Sequence, residues 1–244
     1  MNGLLQEVTK NLTFVLEFLV VIIALFAVAL LLEKLAGKQR GVSAPLFDTR
    51  KIAMTGMFAA IAMILMLFEF PVPFAPPFYE LDFSELPILI GTFAFGPAAG
   101  VMMEFIKILL KLCVKGTSTA FVGDLANFVV GCSFILPASV VYAFRKTKKS
   151  AIAACITGTL TLTVFGTVFN AAYLLPAFSE LYGMPMDAIL AAGAEVNPLV
   201  TEGNLVSFVA ACVAPLNLIK GSSVSLVTLL IYKRLSPIIK SNHR

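Results

Sequence analysis

The sequence predicts an all-α polytopic membrane protein, with a six-helix core preceded by one extra N-terminal transmembrane helix. Three observations carry that prediction. Hydrophobic residues make up 59% of the 244-residue chain and charged residues 13%, with a mean hydropathy of +0.95. A soluble domain carries about 25% charged residues, so this chain lacks the polarity to cover a water-facing surface, and lipid must be the solvent for most of it. Apolar segments approaching the roughly 20 residues needed to cross a bilayer recur along the chain. Lysine and arginine gather in three clusters that fall on one side when seven helices alternate in direction.

Taken in order, the first helix runs from about Leu12 to Leu32, with Glu17 as its single charge. It is too long for a signal-peptide core and lacks a basic lead-in, so it is read as retained. The second spans Ile52–Phe68, and a Pro-rich loop, Glu69–Asp82, follows it. A short helix near Ser84–Phe95 then meets a Gly96-Pro97 break, and the next helix covers Ala98–Val114. The remaining spans are Asp124–Phe144, Ala151–Leu175 and Asn204–Tyr232. The chain thus divides into an extra helix over 1–36, a cytoplasmic linker over 37–50, a six-helix membrane domain over 51–234 and a basic cytoplasmic tail over 235–244.

Lys34, Lys38, Arg40, Arg50 and Lys51 form the first basic cluster; Arg145, Lys146, Lys148 and Lys149 the second; Lys233, Arg234, Lys240 and Arg244 the third. These are 13 of the 18 basic residues. The loops at 69–83 and 176–203 hold no lysine or arginine but contain Glu69, Glu80, Asp82, Glu180, Asp187, Glu195 and Glu202. The positive-inside rule therefore places the N-terminus outside and the C-terminus in the cytoplasm. The net charge of +4 comes largely from flanks that orient the protein and meet anionic lipid, and does not point to nucleic acid.

Several chemistries are excluded. The single histidine, His243, lies in the basic tail, which leaves no usable histidine for a metal site or a nucleophile–histidine pair. Cys113, Cys132, Cys155 and Cys212 form no C-x-x-C pair and read as small hydrophobes. There is no G-x-x-x-x-G-K-[ST], so a chain working against a gradient draws energy from an ion or from a partner. No metal site, no resident cofactor and no enzyme activity are expected.

Ionisable and amide groups inside a membrane are costly and usually face an interior cavity. In the last span Asn217 and Lys220 are three residues apart, on one helix face, and Lys220 lies about 16 residues from the helix start, roughly 24 Å along the axis. Lys220 is either a donor to a ligand in a polar pocket or a lysine paired with a carboxylate. Pro215 beside it kinks the helix and frees backbone groups. Asn170, deep in its span, suits a heterocycle presenting N–H next to C=O, or bonds a neighbouring helix. Asp124 and Asn127 open another helix, where a carboxylate is also favoured by the dipole. Glu104 and Lys107 have the spacing of an internal ion pair. The 69–83 loop carries four prolines and five aromatics. It is either a stiff lid that stacks on a flat ligand or an aromatic belt at the membrane interface. Gly56, Ala59 and Ala60 form a small-residue face that permits close helix packing, within the core or with a partner.

The stretches Lys51-Ile-Ala-Met-Thr-Gly-Met57, Phe70-Pro-Val-Pro-Phe-Ala-Pro-Pro-Phe78, Leu81-Asp-Phe-Ser-Glu-Leu-Pro87 and Phe95-Gly-Pro-Ala-Ala-Gly100 stand in this order, followed by Gly123-Asp-Leu-Ala-Asn-Phe128, Asn170-Ala-Ala-Tyr-Leu-Leu-Pro176 and Asn217-Leu-Ile-Lys220. Over residues 51–234 the chain thereby resembles the riboflavin-specific substrate-binding (S) components of the energy-coupling factor (ECF) vitamin transporters. The resemblance implies a subunit of the bacterial cell membrane that captures riboflavin from outside. A transmembrane coupling protein and two ATPase subunits would then drive uptake. It implies that Asn170, Asn217 and Lys220 line the flavin site, with Asp124, Asn127, Phe78, Asp82 and Phe83 completing the set and the 69–83 loop as lid. It also implies that the face around Gly56, Ala59 and Ala60 meets the coupling protein. Two positions depart from the usual pattern: Gly56-x-x-x-Ala60 stands for Ala-x-x-x-Ala, and Gly123-Asp124 for Gly-Glu.

Two other readings of function stand beside this one. The cargo could be a different vitamin, or the chain could be an ion-driven secondary transporter using Glu104 or Asp124. An uncharged flavin needs amides and a donor, not an arginine clamp. The five basic residues outside the three clusters include no arginine, which fits the free vitamin better than its phosphates.

Overall fold

The computed structural model describes residues 12–40 and 48–241. Linker residues 41–47 lie outside the described residues, as do the first eleven residues and the end of the tail with His243. Helices dominate, as lipid requires, because a spanning segment must satisfy its own backbone groups. They are α1 (Leu12–Arg40), α2 (Thr49–Met66), α3 (Glu85–Phe95), α4 (Pro97–Val114), α5 (Val122–Phe144), α6 (Lys148–Phe169), α7 (Leu175–Tyr182), α8 (Met186–Val196), α9 (Leu205–Phe208) and α10 (Ala214–Ser241). Two two-residue strands, β1 (Phe70–Pro71) and β2 (Glu80–Leu81), pair antiparallel and close the base of the 69–83 loop.

Among the described residues, five segments are long and apolar enough to cross a membrane: 14–39, 49–66, 122–144, 148–182 and 205–231. The other two expected spans form one tight hairpin. α3 has 11 residues, about 16 Å of helix. α4 has 18 but carries Glu104, Lys107 and Lys111. The Gly96-Pro97 break falls where expected. Gly96 has φ +95°, and a Cβ there would lie 3.0 Å from the Glu33 carboxylate, so conformation and space both call for glycine. Thr92 closes on Gly100 and Met103 on Gly91, at distances that admit no Cβ.

α1 runs eight residues beyond its expected end at Leu32, because Glu33-Lys34-Leu35-Ala36-Gly37-Lys38-Gln39-Arg40 is mostly made of strong helix formers. It lies against α4 and α5, burying Phe18, Ala29 and Ala36, with the Phe18 and Phe128 ring centroids 5.9 Å apart. α5 packs along α6 and α6 along α10. Gly158 against the Phe134 backbone and Gly221 against Thr159 keep those helices close, and the Thr159 and Ser225 hydroxyls join at 3.1 Å. Cys132, Cys155 and Cys212 are buried as small hydrophobes, whereas Cys113 is exposed near the end of α4.

The 176–203 segment, expected as a loop, contains α7 and α8. Leu-Pro-Ala-Phe-Ser-Glu-Leu-Tyr and Met-Asp-Ala-Ile-Leu-Ala-Ala-Gly-Ala-Glu-Val each have an apolar face with a surface to cover. That surface is shared with the 69–83 loop. Val72, Ala75, Tyr79 and Leu81 are buried with Leu175, Ile189, Leu190, Phe208 and Leu216.

A π-turn joins α6 to α7 and another joins α9 to α10, each just before a proline. Asn170–Leu174 precedes Pro176, and Val209–Val213 precedes Pro215. The Leu175 N–H donates to Asn170 O and the Ala214 N–H to Val209 O, five residues back. The widened turns accommodate the prolines, which have no N–H to donate, and single π-turns of this kind are frequent at functional sites.

Candidate functional site

The π-turns set the place of the polar residues. Asn170 sits at the start of the first, and Asn217 and Lys220 follow the second, on the helix face that α10 turns toward α6 and α3. Lys220 Nζ lies 2.9 Å from Asp82 Oδ2 and 2.9 Å from Glu85 Oε2. Asp82 stands just after β2, at the foot of the 69–83 loop, where its Oδ1 accepts from the Ser84 N–H at 2.7 Å. Glu85 opens α3. Its Oε1 accepts from Lys107 Nζ at 3.2 Å, and Lys107 also reaches Glu104 Oε2 at 2.6 Å and Ser84 Oγ at 3.2 Å. Asp82, Ser84, Glu85, Glu104 and Lys107 are all buried. The spacing-based ion pair Glu104–Lys107 is therefore present, and it is one link of a longer chain of charges.

Asn170 and Asn217 meet over Gly166. Asn170 Nδ2 donates to Gly166 O at 2.8 Å and its Oδ1 accepts from the Tyr79 hydroxyl at 3.0 Å. Burial, and after it the neighbouring Cys212 thiol, pushes the Tyr79 phenol above its ordinary pKa, so it stands as an O–H donor. The Asn217 amide nitrogen is buried with no hydrogen-bond partner among the described residues. It lies against Gly166, where a Cβ would come within 2.7 Å of it. A buried amide with an open donor is costly unless something accepts from it.

The loop is fastened at three points: Tyr79 to Asn170, Asp82 to Lys220, and the Phe74 carbonyl, which accepts from Asn197 Nδ2 at 3.0 Å. It therefore lies over the α6–α10 polar groups, with Phe70 and Phe78 left exposed. Phe83 is half-buried beneath it, 6.3 Å from the Phe70 ring, while Phe78 is 46% exposed at its rim, against Tyr79.

Other expected residues lie elsewhere. Asp124 bonds Lys111 at 2.7 Å, and Asn127 is half-buried one turn along α5. On α2, Ala59 is buried in the core, whereas Gly56 and Ala60 are only half-buried and Gly56 has nothing near its missing Cβ. A cavity of about 280 Å³ between α2 and α4 is lined by Lys51, Ile52, Thr55, Ala98, Ala99, Met102 and Ile106, at the Gly96 end and away from Lys220. No group of metal-ligating side chains occurs among the described residues. Glu85, Tyr79 and Asn197 were not singled out from sequence. A carboxylate opening an apolar helix was the available signal for Glu85.

A multi-pass helical bundle with a buried set of amides and lysines, covered by a fastened loop, defines a solute-binding membrane protein. Residues 50–232 match the model of the ECF transporter substrate-specific component, and the chain belongs to that family. This is a family of transport components, not of enzymes. The chain is 35% identical over 193 residues to the Riboflavin transporter RibU of Staphylococcus aureus (strain TCH60), covering 79% of this chain and 94% of that one. It is 30% identical over 192 residues to the Riboflavin transporter FmnP of Bacillus subtilis (strain 168), covering 78% and 94%. A solved structure described as the S component of a bacterial ECF transporter superposes with a TM-score of 0.61 at 34% identity, over 78% of this chain and 98% of that one. The matched family region begins at residue 50, beyond α1.

Proposed function

We propose that this chain is the membrane subunit that captures riboflavin for ATP-driven uptake. The reading is carried by its 35% identity to a riboflavin transporter across 94% of that relative. The chemistry of the cluster agrees. Riboflavin is uncharged and offers N–H beside C=O on one edge of its ring. The open Asn217 donor, Asn170 and the remaining donor of Lys220 supply the matching groups. The ring lies beneath the loop carrying Phe78, Asp82 and Phe83. Asp124 and Asn127 belong to the proposed set as the polar groups of α5.

A coupling protein and two ATPase subunits supply the energy. Gly56 and Ala60 form the outward small-residue face that meets the coupling protein, with Ala59 supporting it from inside. In this reading the N-terminus lies outside and the C-terminus in the cytoplasm of a bacterial cell, the orientation that the basic clusters favour. An ion-driven carrier would use a carboxylate such as Glu104, and that group is committed to Lys107 at 2.6 Å. Uptake that survives an uncoupler but needs the ATPase partners excludes such a carrier.

The deciding experiment is a riboflavin titration of the purified chain alone, read by quenching of flavin fluorescence. The chain has no tryptophan to interfere. One saturable site per chain, poorly competed by thiamine or biotin, is the expected result. No binding by folded protein overturns the reading. Gly56→Trp should spare that binding and reduce uptake in cells, and a loss of binding instead would assign this face to the core.

A further inference from the structure

Lys220 is the donor in the proposed flavin site, and the charges behind it explain why its ammonium can serve a ligand. An ammonium has three N–H donors. Lys220 donates one to Asp82 at 2.9 Å and faces Glu85 Oε2 at 2.9 Å as an ion pair without a hydrogen bond, so it keeps donor capacity for a ligand. Glu85 is shared: Oε2 faces Lys220 while Oε1 faces Lys107 at 3.2 Å. Lys107 is fully buried, donates to Glu85 and Ser84, and is ion-paired with Glu104 at 2.6 Å. It therefore has nothing to offer a ligand directly. Glu104 in turn packs against Gly131, where a Cβ would fall 2.7 Å from its Oε1, so it is held from behind.

We propose that Lys107, with Glu104, is a positioning residue that acts on the ligand through Glu85 and Lys220. By holding one oxygen of Glu85, Lys107 fixes the other in direction and divides the carboxylate's charge between two ammonium groups. Without it, Glu85 is free to turn and take a hydrogen bond from Lys220, and the ammonium turns inward. The inference rests on the riboflavin reading and deepens it.

The test compares two backgrounds. Lys107→Met alone strands two buried carboxylates, so the balanced pair Lys107→Met with Glu104→Gln is made instead, which removes one charge of each sign. Riboflavin affinity of this double variant should fall about 10-fold in the otherwise native chain. The same change placed on Lys220→Met should alter affinity by less than about 2-fold, because the residue through which it acts is gone. Glu85→Gln, nearly isosteric, should show the same dependence on Lys220 and serves if the double variant does not fold. Equal losses in both backgrounds would make the chain of charges structural only, and native affinity in the balanced variant would also overturn the proposal. Failure of the unmodified chain to bind riboflavin, seen before any variant is made, overturns the underlying reading.

Discussion

The Tyr79 hydroxyl donates to Asn170 Oδ1 at 3.0 Å, joining the middle of the 69–83 loop to the π-turn that follows α6. The bond is buried and neutral, so its net worth is about 0.5–1.5 kcal/mol. It also orients the Asn170 amide, whose nitrogen is fixed on Gly166 O. Tyr79→Phe keeps the ring against Phe208, 6.2 Å between centroids, and removes only the hydroxyl. Riboflavin should then dissociate about 2- to 10-fold faster, as the loop opens more often. Stopped-flow displacement measures this directly, and an unchanged off-rate would mean that the hydroxyl does not fasten the loop in the bound state.

Gly166 separates stability from binding. A methyl group there meets Asn217 Nδ2 at 2.7 Å and Cγ at 3.2 Å, so the amide must move. Gly166→Ala also gains up to about 1 kcal/mol of helix propensity, which offsets part of an overpacking cost of about 1–3 kcal/mol. The midpoint of thermal unfolding should therefore change little. Affinity for riboflavin should fall about 10-fold or more, since the open donor of Asn217 is displaced. A large loss of thermal stability with native affinity would assign Asn217 to packing.

The outer rim of the loop gives a pH dependence. Partial burial, and then the charge of Glu69 beside it, holds the Glu80 carboxyl above its usual pKa, while Lys115 pulls the other way. Lys115 pairs with Glu69, which leaves the second carboxylate under-compensated. A raised carboxyl pKa in the closed loop means that closure takes up protons. Closure is therefore favoured as pH falls through the raised value, and that gain is lost as pH rises through it. The site is exposed, so the effect on the off-rate should be small, about 2-fold. Glu80→Gln should abolish it and leave the off-rate at its low-pH value throughout.

The polytopic helical architecture and the Gly96-Pro97 hairpin are legible in the sequence because lipid imposes long apolar runs and proline and glycine mark breaks. Lys220 is legible as an anomaly, a charge about 16 residues into an apolar helix, but its partners are not. Asp82 and Glu85 lie 138 and 135 residues away in sequence, and only the tertiary fold sets them beside it. Of the two readings of Lys220, the pairing with carboxylates is what the structure shows; donation to a ligand is part of the proposed function. The helices at 175–182 and 186–196 were missed because each is too short to carry a spanning signal, and their apolar faces acquire meaning only in the tertiary fold, where Ile189 and Leu190 meet Val72 and Tyr79, and Phe178 meets Val122 and Ala126. Ala59 illustrates the same limit. Its spacing put it beside Gly56 and Ala60, but a helix surface of small residues does not reveal which side faces inward, and Ala59 is fully buried.

The extra N-terminal helix lies outside the matched family region, and besides its apolar packing it makes a polar attachment through Glu33. That carboxylate takes Lys51 Nζ at 2.6 Å through Oε1 and the Ala98 N–H at 3.1 Å through Oε2. The second bond satisfies a free N–H in the first turn of the hairpin's second helix, where the dipole also favours negative charge. Glu33→Gln keeps an acceptor for Ala98 and loses the ion pair, which is only partly shielded from solvent, at a cost of about 0.5–1 kcal/mol. Glu33→Ala loses both and should cost about 1–2 kcal/mol, read as a lower unfolding temperature in detergent. Gly96→Ala should be the most severe of the three, since it forces an alanine to φ +95° and drives its Cβ to 3.0 Å from the same carboxylate. Riboflavin affinity should stay within about 2-fold of native for Glu33→Gln and Glu33→Ala, because sites that are distant and share no partner add independently. A parallel loss of affinity would instead mean that the added helix reaches the binding site through the hairpin.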